Sequence, residues 1–120
     1  MSRPMRRFKQ LISDEECKEV LLSEPRGVLS VIGDEGYPYG IPMDHWYSES
    51  DGKLYFHCAR EGHKLDAIRA CDKVSYCVMD KGFRKDGEWA LNIRSVVIFG
   101  RIKIVDDEEK IREMIGKFAS

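Results

Sequence analysis

The chain has 120 residues, of which 42% are hydrophobic and 34% charged, a composition that is ordinary for one globular domain. Its formal net charge of −1 argues against a dedicated nucleic-acid-binding protein, which would carry a basic field. No apolar run approaches the roughly 20 residues that cross a bilayer, and the basic segment 1–9 lacks the apolar stretch of a secretory signal. We therefore expect a single domain over residues 1–120, located in the cytoplasm, that binds neither nucleic acid nor membrane.

Cysteine usage agrees with that expectation. The cysteines are Cys17, Cys58, Cys71 and Cys77, and none of them forms a C-x-x-C pair. Their spacing therefore predicts neither a zinc knuckle nor a thioredoxin-type site, and reduced, mostly buried thiols are expected. Cys58 is the exception, because neighbouring cations favour its thiolate form. Nucleophilic catalysis by Cys58 would also need a base and an oxyanion donor, which the sequence does not identify.

The N-terminal part of the chain predicts a basic arm followed by a helix. Residues 1–10 carry four cations and are interpreted as a short solvated arm. Ser13 and Glu16 have the spacing of a capping box, in which two side chains satisfy backbone N–H groups of the first turn. Pro25 disfavours helical backbone in the residue before it, so the helix should end within the two preceding residues.

Five β-strands are predicted next, because runs of β-branched and aromatic residues alternate with turn residues. The second run contains Pro38 and Pro42, and since proline cannot donate to a ladder, this strand should be an edge or be bulged. The fifth run is too long for a flat strand, and it is interpreted as one long strand or two, bent near Arg94 and Ser95 or at Gly100. The predicted strands are Gly27–Ile32, Tyr37–Tyr47, Lys53–His57, Lys73–Met79 and Trp89–Val105.

Two further helices complete the predicted elements. A short helix over His63–Cys71 should turn Leu65 and Ile68 inward, and the acidic run Asp106–Glu109 should begin a last helix. The apolar positions of that helix have core-facing spacing and are Ile111, Met114, Ile115 and Phe118. Hairpin-length connections indicate an antiparallel sheet, and closing it into a small barrel would remove its exposed edges. The predicted fold is a β-rich α+β domain.

The junction between the third strand and the short helix gathers cations and imidazoles. These side chains are His57, Arg60, His63 and Lys64. Gly62 leaves the backbone approachable, and the first turn of a helix offers free N–H groups, so the segment is suited to binding an anion. We interpret it as the site of a phosphate-bearing cofactor. The alternative is that Arg60 and Lys64 are solvated surface charges.

A second candidate region is the proline-containing strand around Pro42. The backbone groups of an edge strand can hydrogen-bond the rim of a flat heterocycle, while Leu29, Met43 and Trp46 supply apolar surface. The alternative is that Pro42 only bends the strand. A metal site is less favoured, because no pair of its possible ligands has helical spacing. Those ligands would be His45, His57 and His63 with Asp44 or Cys58.

Several segments match a known family in order and spacing. The most specific are Phe56-His-Cys-Ala-Arg-Glu-Gly-His-Lys64 and Arg94-Ser-Val-Val-Ile-Phe-Gly100, preceded by Gly27-Val-Leu-Ser-Val31 and Gly36-Tyr-Pro-Tyr-Gly-Ile-Pro-Met43. From about Met5 to the C-terminus, the chain resembles the nitroimidazole-resistance (Nim) branch of the pyridoxamine-phosphate-oxidase-like flavin proteins. The resemblance implies an antiparallel split β-barrel that forms a homodimer and binds FMN in clefts at the dimer interface.

The resemblance also implies a set of site residues. The backbone of Pro42, Met43 and Asp44 would line the isoalloxazine ring. The FMN phosphate would be held by Phe56, His57, Cys58 and Lys64. Ser95 and Val96 would close the site from the last strand. His57 would be the catalytic histidine, although a lone histidine on a strand is more often structural.

The implied function is that of an FMN-dependent oxidoreductase that reduces small oxidised molecules such as nitroaromatics; no nicotinamide fingerprint identifies its electron donor. The alternatives are a non-enzymatic module carrying FMN or haem, with His57 or His63 on the haem iron, and a structural subunit without ligand. The sequence departs from the family at Met43–Trp46, where a run such as Leu-Asn-Tyr is usual. Asp44 would thus place a carboxylate beside an electron-rich cofactor. Members of the family continue beyond the position of Ser120 with a further helical stretch and a final strand.

Overall fold

The structure is a computed structural model that describes residues 12–56, 62–105, 109 and 112–113. These residues form a five-stranded antiparallel sheet, curled into a half-barrel, with two helices packed against it. In chain order the elements are α1 (Asp14–Ser23), β1 (Arg26–Ile32), β2 (Pro38–Ser48), β3 (Lys53–Phe56), α2 (His63–Ala70), β4 (Lys73–Met79) and β5 (Ser95–Arg101). The strands lie in the order β3-β2-β1-β4-β5. The predicted β-rich α+β architecture of the split-barrel type is confirmed.

Both helices lie where the sequence predicts them. The Ser13 hydroxyl accepts a hydrogen bond from the Glu16 backbone N–H at 3.2 Å, which satisfies a free donor in the first turn of α1. Val20 of α1 and Leu65 and Ile68 of α2 are buried in the core. Neither these helices nor any other in the described part of the chain has the length and apolar character needed to cross a membrane.

The two ends of the chain are only partly described. Glu109, Arg112 and Glu113 have helical backbone, in agreement with the predicted last helix. The four apolar residues assigned to the core-facing side of that helix lie outside the described residues. The basic arm predicted over residues 1–10 lies outside them as well.

The hairpin of β1 and β2 determines which groups of β2 face outward. The His45 N–H donates to the Pro25 carbonyl oxygen at 3.0 Å, so the backbone groups of odd-numbered β2 residues point toward β1. The groups of even-numbered residues, including Pro38 and Pro42, point to the opposite edge. Since β3 pairs only with His45–Ser48, the first half of β2 is an edge within the described structure. The predicted edge is therefore found in the proline-bearing half of β2, whereas the second half lies between β1 and β3.

The sheet has one face in the core and one that is apolar but exposed. The most deeply buried side chains of the core are Val20, Leu29, Val31, Tyr76 and Val78. On the opposite face, Val28, Met79, Val97 and Phe99 are between 43% and 67% exposed. The register places Val28 beside Cys77 and Cys77 beside Val97, so this outer face is continuous across three strands.

The predicted strand segment Trp89–Val105 is too long at both ends, because β5 spans only Ser95–Arg101. The segment before β5 is a loop fastened at its base by Asp80. The Asp80 carboxylate accepts hydrogen bonds from the backbone N–H and the Nε of Arg94, each at 2.9 Å, and the Asp80 N–H donates to the Arg94 carbonyl oxygen. Trp89, in the loop, is 96% exposed. The chain enters β5 directly after this clasp instead of bending within one strand.

Candidate functional site

The fold brings the two predicted binding regions together. Lys64 lies in the first turn of α2, and its Nζ lies 3.6 Å from the Sδ of Met43 on β2. Met43 belongs to the proline-bearing edge strand, 21 residues away in the sequence. The cation predicted to bind phosphate therefore lies next to the strand predicted to line a flat ring.

Lys64 is a half-buried cation, and its surroundings are suited to an incoming anion. The Met43 thioether is only a weak hydrogen-bond acceptor. Within residues 12–56 and 62–105, no carboxylate forms an ion pair with Lys64. A cation that is partly withdrawn from water without a counter-charge is unfavourable, and a bound anion would relieve that cost.

The backbone at the start of α2 adds further donors. Gly62, which precedes the helix, has a φ of 142°, a conformation that favours glycine. Glycine supplies no capping side chain, so the first-turn N–H groups keep their capacity to donate to a ligand. Around Gly62, no described atom lies within 4 Å of where a side chain would begin. Lys64 and this helix start together form a donor set that matches a phosphate group.

His63 holds the start of α2 against the β1–β2 turn. Its ring packs on Tyr39 with the ring centroids 4.6 Å apart, and its Nε2 lies 3.9 Å from the Asp34 carboxylate. These contacts join the helix to the hairpin whose second strand carries Met43. Of the imidazoles predicted near the anion site, His63 therefore has a structural role in placing Lys64.

The open edge of β2 presents mainly carbonyl groups. Pro38 and Pro42 have no N–H, so the edge offers the N–H of Gly40 and the carbonyl oxygens of Pro38, Gly40 and Pro42. Two of the three side chains expected to provide apolar surface are placed differently. Leu29 is 1% exposed and Met43 is 6% exposed, so both side chains belong to the core. A ligand at this edge would meet backbone groups and not those two side chains.

The Asp44 carboxylate, expected to add negative charge beside a cofactor, has a cationic partner. Arg26 Nε donates to Asp44 Oδ1 at 2.7 Å across the β1–β2 ladder. This hydrogen bond holds the pKa of the Asp44 carboxyl below its usual range, so the group is ionised but its charge is compensated. Arg26 was not predicted as part of the site.

A buried polar cluster lies on the inner side of this strand. Phe56, the last residue of β3, packs edge-on against Tyr76 with ring centroids 4.8 Å apart. The Tyr76 hydroxyl lies 2.5 Å from His45 Nδ1 and 3.2 Å from the Met43 carbonyl oxygen. Burial is the larger cause, and the nearby Asp44 charge a smaller one, of a pKa for Tyr76 far above its ordinary value. The phenol is therefore neutral. Tyr76 was not predicted as a site residue; the available signal was its inward-facing position in β4.

The fold separates Ser95 and Val96 from the other predicted site residues. Strands β1 and β4 lie between β2 and β5, which places β2 and β5 about 14 Å apart at the usual strand spacing. Val96 is 8% exposed and faces the core, whereas Ser95 is exposed on the outer face. Within one chain these two residues do not join Met43 and Lys64.

Three predicted residues cannot be placed. His57, Cys58 and Arg60 lie outside the described residues, so the catalytic role of His57 and the phosphate contacts of all three stay predictions. Among the residues that are described, no three possible metal ligands come together. His45, one of the ligands considered, uses both ring nitrogens in hydrogen bonds to Tyr76 and Leu21.

Solved structures of other proteins share this fold. A candidate 5-nitroimidazole antibiotic resistance protein from Bacteroides thetaiotaomicron is 19% identical, with 91% of this chain and 66% of that chain aligned and a TM-score of 0.78. An FAD-binding protein from Mesorhizobium loti is 27% identical over 88% of this chain and 70% of that chain, with a TM-score of 0.70. A flavocytochrome from Azotobacter vinelandii is 21% identical over 97% of this chain and 55% of that chain, with a TM-score of 0.77.

The chain is thus shorter than the proteins it matches, spanning 66% of the first and 55% of the third. A search of curated protein sequences finds no significant match. The family model described as "Pyridoxamine 5'-phosphate oxidase" matches residues 13–119, which is nearly the whole chain. This chain belongs to the pyridoxamine 5'-phosphate oxidase family.

Proposed function

We propose that this protein binds FMN and uses it to reduce small oxidised molecules such as nitroaromatics. The observation that carries the proposal is Lys64, a half-buried cation with no ion-pair partner among the described residues, placed in the first turn of α2 beside the Met43 side chain of β2. The flavin binding named for the M. loti and A. vinelandii proteins and the nitroimidazole resistance named for the B. thetaiotaomicron protein support it. The cytoplasm is the proposed location, because the described cysteines are free thiols.

The phosphate end of FMN would be held at α2. Lys64 Nζ would supply the charge, and the first-turn N–H groups after Gly62 would donate hydrogen bonds to the phosphate oxygens. Phe56, His57 and Cys58, at the predicted end of the third strand, complete the proposed phosphate site, with His57 as the proposed catalytic residue. His63 contributes indirectly, through the contacts that fix the helix start.

The ring end of FMN would lie along the open edge of β2. When bound, FMN supplies the electron-transfer chemistry, and the chain binds and orients it. The Gly40 N–H and the carbonyl oxygens of Gly40 and Pro42 would meet the polar rim of the ring, and backbone groups on a strand hold a fixed geometry. Because Arg26 compensates Asp44, this carboxylate does not place an uncompensated negative charge beside electron-rich flavin.

The proposal includes a homodimer in which a second copy completes each site. Ser95 and Val96 are too far from Lys64 and Met43 to close the site within one chain, so a second copy would have to bring them. The outer face of the sheet also suits self-association, because it is apolar, continuous and exposed in the single chain. A two-fold interface would use this face on both copies.

The test is reoxidation of the reduced flavoprotein. The FMN-loaded protein is reduced with dithionite without oxygen, a 5-nitroimidazole is added, and the visible flavin absorbance is followed. One nitro group takes two electrons and two protons to give a nitroso group and water, so one equivalent should restore the oxidised absorbance of one flavin. The control is free reduced FMN at the same concentration.

Three results of that test are informative. Reoxidation faster than in the control supports the reductase. Reoxidation no faster than that of free FMN contradicts reductase activity, although it would leave flavin binding intact. Failure of the protein to retain FMN at all contradicts the whole proposal.

A further inference from the structure

A closed polar cluster joins α1, β2 and β4 on the inner side of the proposed cofactor strand. His45 and Tyr76 are only 7% and 2% exposed. His45 Nε2 lies 2.9 Å from the Leu21 carbonyl oxygen at the end of α1, and its Nδ1 lies 2.5 Å from the Tyr76 hydroxyl. The same hydroxyl lies 3.2 Å from the Met43 carbonyl oxygen. Every buried side-chain nitrogen and oxygen in the described residues has such a partner.

The partners determine which atoms donate. A carbonyl oxygen only accepts, so Nε2 of His45 carries a proton and donates to Leu21. In the tautomer with its proton on Nε2, Nδ1 is the acceptor and the Tyr76 O–H donates to it. The Met43 carbonyl oxygen is a second, more distant acceptor for that hydrogen. The Tyr76 hydroxyl therefore links the His45 ring to the backbone of the cofactor strand.

The cluster contacts the proposed ring site from the side opposite the ligand. The Tyr76 hydroxyl contacts Met43, and the Tyr76 ring packs on Phe56. His45 directly follows Asp44 in β2. Because side chains alternate along a strand, those of Met43 and His45 face the core, whereas the backbone carbonyl of Pro42 points to the edge of β2 that is unpaired among the described residues. The core thus fixes the position and orientation of β2, the strand that the ring would meet.

We infer that His45 and Tyr76 are positioning residues for the flavin ring, acting through the backbone of Met43 and Asp44 without touching the ligand. The inference rests on the proposed function and concerns the ring, whereas Lys64 concerns the phosphate. A purely structural pair would affect only the stability of the fold. A positioning pair also determines the affinity for the ring and the environment that the ring senses.

The test compares FMN with riboflavin, which has the same ring but no phosphate. Tyr76→Phe keeps the aromatic contact with Phe56 and removes only the hydroxyl. We expect this variant to bind both ligands about five- to tenfold more weakly, by the same factor, as loss of one hydrogen bond would give. The visible absorption bands of the bound flavin should also shift. Lys64→Ala should weaken the binding of FMN and leave the binding of riboflavin unchanged.

Two further variants separate positioning from general stability. Val78→Ala removes a buried apolar group from the same face of β4 and should lower the melting temperature while leaving both affinities unchanged. His45→Gln removes the acceptor for the Tyr76 hydroxyl and tests the same link if Tyr76→Phe does not fold. The double variant of His45 and Tyr76 should lose no more affinity than the stronger single variant, since both act on one strand.

The outcomes distinguish this inference from the function on which it rests. A wild-type protein that binds neither flavin would refute the proposed function. A wild-type protein that binds both would leave the function standing. In that case, unchanged affinities and unchanged flavin spectra in Tyr76→Phe and His45→Gln would overturn the positioning role.

Discussion

Gly27 of β1 is a residue at which the backbone passes close to the polar cluster. A Cβ at this position would lie 2.5 Å from the Cys77 carbonyl oxygen and 2.8 Å from the Tyr76 hydroxyl. Gly27→Ala should therefore push β4 away and destabilise the fold by about 2–3 kcal/mol, as overpacking in a core does. Chemical denaturation followed by circular dichroism measures the change.

The matched control is Gly40→Ala on the adjacent strand. A Cβ at Gly40 would meet its nearest neighbour, a methyl group of Val28, at 3.4 Å, which is ordinary contact. This substitution should change the free energy of unfolding by no more than about 0.5 kcal/mol. If both variants lose the same free energy of unfolding, the close approach at Gly27 is not the cause of the destabilisation.

Single-residue roles could be predicted only where they follow from local sequence. Lys64 was found because a strand end, a glycine and a helix start coincide in one short segment. The partner of Asp44 could also have been found, since Arg26 and Asp44 lie nine residues on either side of Glu35, the centre of the hairpin turn. For Tyr76 the sequence signals only an inward-facing position in β4. Its contact with Met43 could not be predicted, because that contact depends on how β4 lies beside β1.

Most elements could be predicted from the sequence because their signals are local. The Ser13 cap bounds α1, and the prolines of β2 mark its open edge. The error at Trp89–Val105 has a nonlocal cause. Residues before β5 have strand-forming side chains, but the hydrogen bonds between Asp80 and Arg94 close a loop across 14 residues. Strand propensity describes how a residue fits a sheet and carries no information about such a clasp.

At the scale of the whole molecule, the exposed apolar face predicts self-association. Phe99, 67% exposed in the single chain, lies on that face beside Ser75 of β4. Phe99→Asp should weaken the dimer by about 30-fold or more, as a charge in the centre of an apolar interface would. Light scattering after size-exclusion chromatography gives the mass at a series of concentrations. Flavin affinity should fall along with dimer formation, because each site would lose the residues that the second copy of the chain contributes.

Leu22→Asp provides the control for that change. Leu22 is also an exposed apolar residue, at 53%, but it lies on α1 and not on the outer face of the sheet. It should leave both the dimer and the flavin affinity unchanged. A Phe99→Asp protein with the mass of the wild type at every concentration would contradict the proposed interface.

The central claim is that Lys64 binds the phosphate of a flavin nucleotide. The most direct measurement is the ratio of the riboflavin and FMN dissociation constants for the wild type, for Lys64→Ala and for the control Lys53→Ala, an exposed lysine on β3. We expect the wild type and the control to prefer FMN. Lys64→Ala should lose about tenfold or more of that preference with its riboflavin affinity unchanged, as removal of a charge-assisted contact predicts. An FMN preference that survives in Lys64→Ala would contradict the claim.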